Sequence, residues 1–235
     1  MVAIADGKIV NPALISSFEI SVDTGTGGDS GNTRVAVVDT VLVTAIVPTT
    51  LNFIITGTAT GTVANGDATT GSTTATTIPF GELDTTGATS EVLAQHLSVS
   101  TNARNGFVVT VEQDDNLQSS TGAIIDSFTD GTYVDTPTGW VLPGGGTPTI
   151  GDDTTWGHWG LTSSDADLNS DEFGSALYIA ASTTPRIIFS HASSSDGVTD
   201  FIGSTTVGYR IQISPLQEAG DDYQAILTYI ATPTF

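Results

Sequence analysis

The feature that most constrains the fold of this chain is the shortness of its apolar segments. Almost all of them are short and β-like and are separated by turn residues, as in 186–192, RIIFSHA, and 207–214, VGYRIQIS, where apolar residues occupy alternate positions. A period of two buries one face of a β-strand, and the bounding residues favour turns. The sequence therefore predicts an all-β protein, an antiparallel β-sandwich of jelly-roll or immunoglobulin-like type with a long loop insertion.

Two parts of the chain differ from this pattern and suggest its domain organisation. Residues 1–17 form an apolar arm that precedes a glycine-rich stretch, 24–32, which could act as a hinge. Residues 114–175 are rich in Asp, Gly, Pro and Trp and are interpreted as a decorated excursion from the sheet. We therefore expect an N-terminal strand or arm (1–17) and a single sandwich domain (18–235).

Several segments carry specific expectations. Residues 2–10 and 96–113 each place a turn pair, Asp-Gly or Asn-Gly, between apolar runs, which predicts hairpins. Residues 34–48 are apolar on both faces and predict a strand buried on both sides. Residues 57–77 fit either a loop or polar strands turning at an Asn-Gly pair, and 90–97 fit a short helix or a strand. The apolar run 223–235 is expected to belong to the core of its own sheet.

The charge of the chain excludes several classes of partner. The sequence contains 26 acidic residues against five Lys and Arg, a formal net charge of −21. Nucleic acids and anionic membranes both need a basic surface, so neither is expected to bind. There is no cysteine and no run of about 20 apolar residues, so neither disulfides nor a membrane-spanning helix is expected. The composition favours an extracellular or cell-surface protein whose signal peptide has been removed.

Two patterns could suggest catalysis, but neither is specific. Gly28-Asp29-Ser30-Gly31 is similar to the nucleophile segment of trypsin-like proteases, yet all three histidines follow it, whereas that family places its histidine before the serine. Adjacent acids such as those at 114–115 and 221–222 arise readily in so acidic a chain. We expect no enzyme activity and no catalytic residues.

One acidic segment resembles a cation-binding loop. Oxygen-bearing side chains occur at alternate positions, Asp165, Asp167, Asn169 and Asp171, and calcium prefers six to eight oxygen ligands. The helix–loop–helix calcium pattern also needs Gly and Glu where this chain has Ser170 and Ala176. The segment is therefore interpreted either as a calcium site or as a solvated acidic loop, and no other cofactor is expected.

The three tryptophans, Trp140, Trp156 and Trp159, allow two interpretations. Exposed indole rings can stack on sugars, which would make them glycan contacts. Large aromatic side chains also dominate small cores, so the same residues could close one end of the sandwich.

Two segments resemble bacterial cell-surface proteins. TIPFGEL, followed by LSVSTNARNGFVVTVEQ, is similar to the pattern of WxL-like and spore-coat-U-like surface proteins. The closing segment, IQISPLQEAGDDYQAILTYIATPTF, resembles the last strand of pilus-type β-sandwiches. The first match rests on Phe80, Gly81, Leu83, Leu97, Val99, Thr101, Asn102, Gly106, Phe107 and Val109–Val111, and the second on Ala219, Gly220, Tyr223 and Phe235. The resemblance implies a β-sandwich with a structural role at a cell surface.

These observations suggest a structural subunit of an extracellular filament, pilus or surface layer. A free apolar strand of one copy would complete the sheet of the next, giving a homopolymer. The N-terminal arm is the expected donor, through Val2, Ile4, Ile9, Val10, Leu14 and Ile15. The alternatives are a glycan-binding adhesin or surface domain and a virion decoration or tail protein.

Overall fold

The structure is a computed structural model of the whole chain. It describes residues 3–5, 8–10, 13–38, 41–166, 168, 173–220 and 222–235. The chain forms two compact units, residues 1–48 and residues 49–235. The first unit is longer than the arm of residues 1–17 that the sequence predicts, because a second hairpin follows that arm.

The first unit consists of two hairpins. Strands β1 (Ala3–Ala5) and β2 (Lys8–Val10) pair antiparallel, as the turn pair at 6–7 predicts. Strands β3 (Ser16–Asp23) and β4 (Ser30–Val37) form the longer hairpin, and residues 24–29 of the glycine-rich stretch are the loop between them, while residues 30–32 belong to β4. The glycines Gly25 and Gly27 have φ values of 91° and 85°, which glycine adopts without strain.

The prediction of a doubly buried strand over 34–48 is wrong. Strand β4 ends at Val37, and residues 41–50 have no regular secondary structure. The run 41–47, VLVTAIV, is exposed, and Leu42 and Ile46 reach 87% and 94% exposure. The apolar pattern is that of a core strand, but nothing in the described residues covers it.

The second unit contains the remaining elements, all strands apart from two short 3₁₀ turns. The long strands are β5 (Leu51–Gly57), β8 (Glu91–Thr101), β9 (Phe107–Gln113), β13 (Gly157–Ser163), β15 (Arg186–His191), β17 (Ser204–Ile213) and β18 (Leu227–Pro233). The short strands are β6 (Val63–Ala64), β7 (Asp67–Ala68), β10 (Leu117–Gln118), β11 (Ile124–Ser127), β12 (Thr138–Gly139), β14 (Leu177–Ala180) and β16 (Ser195–Asp196). The 3₁₀ turns are Pro143–Gly146 and Asp153–Thr155.

The strands of the second unit form two main sheets. In the first sheet β17 lies between β8 and β13, and β5 pairs with the other side of β8. The second sheet has only three strands, in the order β15, β9, β18. All pairs are antiparallel except β11 with β13. The all-β sandwich class is confirmed.

The core lies between the two sheets. Leu97 and Val99 of β8 and Tyr209 of β17 belong to the same buried cluster as Phe107 and Val109 of β9. The alternating residues of β9 are buried and half-buried in turn, as period-two patterning requires. At about 25 cal/mol per Å² of apolar surface removed from water, this contact is the main source of stability.

The segment 96–113 forms two strands, but the predicted hairpin is wrong. Strands β8 and β9 belong to different sheets, so the connection 102–106 crosses the sandwich. The crossing is held by Thr50, whose N–H donates to Asn102 Oδ1 (2.8 Å), and by Thr234, whose N–H donates to Gly106 O (2.8 Å). The prediction failed because the alternation of apolar residues shows only which face of each strand is buried. Two strands that face each other across the core have the same alternation as two strands paired in a hairpin.

The structure also shows the outcome of the predictions for the other individual segments. Residues 57–77 contain the small hairpin β6–β7, which turns at Asn65-Gly66 as one alternative predicts. Segment 90–97 is strand, and β18 pairs with β9 as expected for a core strand. The excursion 114–175 is not wholly outside the sheet, because β13 is buried along its whole length between β17 and β14.

Two turns of the second unit are built on a carboxylate. Asp84 accepts the backbone N–H groups of Thr86 (2.8 Å) and Thr89 (3.0 Å), as well as both threonine hydroxyls. Asp196 accepts the N–H groups of Val198 and Thr199, both at 2.9 Å. These hydrogen bonds, the threonine hydroxyl bonds foremost, lower the pKa of Asp84 and of Asp196 to about 2.

The connection 102–106, which crosses from one sheet to the other, offers a test of the fold. Gly106 has a φ of 76°, and a Cβ placed there would lie 1.7 Å from the carbonyl oxygen of His191. We expect Gly106→Ala to lower the free energy of unfolding by more than the ~1–2 kcal/mol of a left-handed alanine. The matched control is Gly122→Ala, which has a φ of 90° and no atom within 4 Å of the added Cβ. Equal losses in urea denaturation would contradict the close approach.

Candidate binding groove

An apolar groove of about 1280 Å³ runs along the open side of the sandwich in the second unit. It lies between β5, the outermost strand of the first sheet, and β18, the outermost strand of the second. The groove exists because the second sheet ends at β18 while the first sheet continues to β5. Its apolar lining comes from Phe53, Ile55, Ile78, Phe80, Leu83, Leu117, Ile125, Trp159, Ile211, Ile213, Leu227 and Tyr229.

The backbone of β18 bonds to β9 through its even-numbered residues. The carbonyl oxygen of Ile226 accepts the N–H of Asp114 (3.0 Å), and the N–H of Thr234 donates to the carbonyl of Gly106 (2.8 Å). Bonded and non-bonded residues alternate along an antiparallel pair. The residues between these two ends therefore bond to β9 only at positions 228, 230 and 232.

The odd-numbered residues of β18 consequently direct their backbone groups to the opposite edge. There Leu227, Tyr229 and Ala231 each present an N–H and a C=O, and Pro233, which has no N–H, occupies the next odd position. Among the residues that the structure describes, no strand pairs with this edge. The side chains of the same odd positions point inward, since they are half-buried while the even ones are exposed. The groove thus has an apolar wall and a row of main-chain hydrogen-bonding groups.

A polar link joins the two sheets at the groove. The hydroxyl of Tyr209 on β17 is hydrogen-bonded to that of Tyr229 on β18 and donates to Gln95 Oε1 (3.1 Å). The Gln95 amide in turn donates to the carbonyl of Thr74 (2.8 Å). Burial raises the pKa of both tyrosines, so both hydroxyls stay protonated and the link stays neutral.

Two buried polar atoms of the groove lining have no hydrogen-bond partner among the described residues. They are the indole Nε1 of Trp159 and the side-chain Oε1 of Gln217. A buried donor or acceptor without a partner costs about 1–3 kcal/mol.

The structure gives two of the three tryptophans a packing role. The ring of Trp140 stacks on Phe128 with centroids 4.7 Å apart, and its Nε1 donates to Gln212 Oε1 (2.7 Å). The guanidinium carbon of Arg210 lies 4.9 Å from the Trp140 centroid. Trp159 is 3% exposed in the groove wall. The glycan interpretation therefore rests on Trp156, which is half-buried and whose Nε1 donates to the carbonyl of Thr149.

The predicted calcium ligands lie mostly outside the described residues. Asp167, Asn169 and Asp171 are among those outside, so the structure does not show whether they converge. Asp165 is buried, and its Oδ2 accepts the N–H of Ser190 (2.9 Å), which is a structural role. Within the described part of the chain, no group of three or more His, Asp or Glu side chains could hold a metal ion.

The predicted donor residues of the N-terminal arm do not form one free strand. Ile4 pairs with Ile9 and Ala3 with Val10 inside the hairpin, and Val2 lies outside the described residues. Leu14 and Ile15 are 72% and 63% exposed. Sequence reasoning missed the two features that stand out in the structure, the free edge of β18 and the exposed run 41–47. Neither has a signal of its own, because each looks like an ordinary core strand.

Comparison with known proteins yields no family. No protein-family model matches the chain, and no curated protein is similar to it in sequence. The similarity to bacterial surface proteins therefore rests on the motifs themselves. No helix in the described residues is long and apolar enough to span a bilayer.

Asp126 on β11 is partly buried and lies close enough to other aspartates for their charges to affect it. Its Oδ1 accepts the amide of Asn116 (2.8 Å), and partial burial, reinforced by Asp153, Asp130 and Asp152, raises the pKa of Asp126 to about 6. A carboxyl whose pKa is higher in the folded than in the unfolded protein holds its proton more tightly when folded. Its contribution to stability is therefore greatest in acid and is lost as the pH rises through about 6.

Because folding raises the pKa of Asp126, the effect of removing its charge on stability should depend on pH. We expect Asp126→Asn, which keeps an oxygen acceptor for Asn116, to raise the melting temperature at pH 8 and to leave it nearly unchanged at pH 3.5. Glu82→Gln, a charge removal at an exposed position, controls for the change in net charge. A stabilisation of equal size at both pH values would contradict the placement of Asp126.

Proposed function

We propose that this protein is a non-enzymatic structural subunit of an extracellular filament, pilus or surface layer. The observation that supports it is the apolar groove beside the unpaired edge of β18. Subunits would join when an extended segment of one copy enters the groove of the next and becomes the fourth strand of its second sheet.

The energetics favour a strand as the occupant of the groove. An extended segment supplies N–H and C=O groups to the odd-numbered residues of β18, and its inward side chains meet the apolar lining. Burial of several hundred Å² of apolar surface is worth on the order of 10 kcal/mol before entropy costs, at ~25 cal/mol per Å². An unprotected edge of this kind is otherwise a site of uncontrolled aggregation.

The geometry of such a contact leads to a polymer. The donor segment and the acceptor groove are different surfaces, so each copy can donate to one neighbour and accept from another. Head-to-tail contacts of this type give open filaments unless the rotation closes a ring. A homopolymer follows without any other partner.

The charge of the chain supports a role outside the cell. A net charge of −21 keeps free copies apart at low ionic strength, and it removes any attraction to nucleic acids or anionic lipids. A virion decoration or tail protein would use the same contact, and imaging of the native assembly separates that alternative from a cell-surface polymer.

The free edge of β18 can be tested directly. Ala231→Pro removes an N–H that faces the groove, whereas Thr232→Pro removes one that bonds to β9. We expect Ala231→Pro to abolish filaments in electron micrographs while the monomer remains folded. Thr232→Pro should instead lower stability by about 3 kcal/mol, because proline breaks the ladder itself.

Pro233 already occupies the next odd position of the strand, so the edge tolerates proline there. Filaments of normal length and yield from folded Ala231→Pro protein would count against strand addition at this edge. Absence of any assembly by the unaltered protein, in concentrated solution with added salt, would count against the structural role as a whole.

A further inference from the structure

We infer that the donated strand is residues 41–47, VLVTAIV, of a neighbouring copy, and that the N-terminal arm is not the donor. This inference rests on the proposed function and specifies the partner segment of the same groove.

The first support is the exposure of this segment. Val41, Leu42, Val43, Ile46 and Val47 are each between 80% and 94% exposed, and no strand of the described residues pairs with them. Soluble proteins rarely leave so continuous an apolar run in water, and those that do use it as an interaction site. The β-branched residues that dominate the run favour an extended conformation.

The second support is the match in length and chemistry with the acceptor. Strand β18 has seven residues, and 41–47 supplies seven that would extend over about 23 Å at 3.3 Å per residue. All seven have a backbone N–H, so the segment can pair with the N–H and C=O groups that Leu227, Tyr229 and Ala231 present at the free edge. The N-terminal arm fits less well, because β1 and β2 have only three residues each, against the seven of β18, and are paired with each other.

The apolar pattern of residues 41–47 also indicates which face of the donated strand enters the groove. Side chains at Val41, Val43, Ala45 and Val47 share one face and are all apolar, whereas the other face carries Thr44 between Leu42 and Ile46. The apolar face belongs in the groove, against residues such as Leu227 and Tyr229. The opposite face would then continue the exposed side of the sheet.

The charge of the groove lining also favours residues 41–47 as the donated strand. The groove lining includes Glu82 and Glu218 and no Lys or Arg. Residues 41–66 contain no charged side chain, which is unusual in a chain with 26 acids. An uncharged strand enters beside these carboxylates without repulsion.

A pair of single substitutions tests the donor. Both positions are exposed in the free protein, so neither variant should affect folding. We expect Val43→Asp, which would place a carboxylate in the groove, to raise the critical concentration for assembly by at least about 100-fold. Thr44→Asp carries the same charge on the outward face and should change it by less than about 3-fold. Deletion of residues 1–15 should leave assembly intact.

Cysteine pairing tests whether the contact is between copies. The chain has no cysteine of its own, so a copy carrying Val43→Cys can be mixed with one carrying Leu227→Cys or Ala225→Cys. Oxidation should give mixed disulfide dimers, and Thr44→Cys should give far fewer. A monomeric internal disulfide in the double variant, without dimers from the mixture, would overturn the inference by showing that the segment closes its own groove.

The outcomes separate this inference from the proposed function. If Val43→Asp assembles normally while Ala231→Pro does not, the groove is the acceptor but another segment is the donor, and this inference fails alone. Loss of assembly on deletion of residues 1–15 would likewise overturn this inference and leave the groove as the acceptor. If both point variants assemble normally, the groove is not the site of assembly and both proposals fail.

Discussion

The unequal width of the two packed sheets is the constraint on which the rest of the second unit depends. The first sheet extends through β8 to β5, whereas the second ends at β18, so the two outer strands do not close on each other. The Tyr209–Tyr229 hydroxyl pair joins the sheets just where the second one ends. The groove and the unpaired main-chain groups of β18 lie at this step between the sheets, and two buried polar atoms of the groove lining have no hydrogen-bond partner among the described residues.

Local pattern was sufficient to predict the class of the fold and most of its strands. Residues such as Val111 and Ile211 alternate with polar neighbours, and the short turns are marked by pairs such as Asn65-Gly66. The partners of each strand were not predictable in the same way. Leu97 and Phe107 lie on strands that follow one another and face each other across the core, and their pattern is that of a hairpin. Pairing is a long-range property that alternation does not record.

The largest error has a physical reason as well. Under the proposed mode of assembly, a donated strand is as apolar as a core strand because it is buried in the core of its neighbour. Val43 and Leu42 therefore look buried in the sequence and are exposed in the isolated chain. The candidate site was missed for the complementary reason, since Leu227 and Tyr229 form a normal strand whose second edge has no partner strand in the part of the chain that the structure describes. Interpreting apolar pattern as burial within the same molecule fails at both places.

The carboxylate-built turns have a consequence for the conditions that this protein can withstand. Asp84 and Asp196 have pKa values of about 2, well below that of an unfolded aspartate. Their contribution to stability is complete above about pH 4 and is lost only as the pH falls towards 2. Acidification of the medium to about pH 4 therefore leaves both carboxylates ionised and both turns held by their hydrogen bonds.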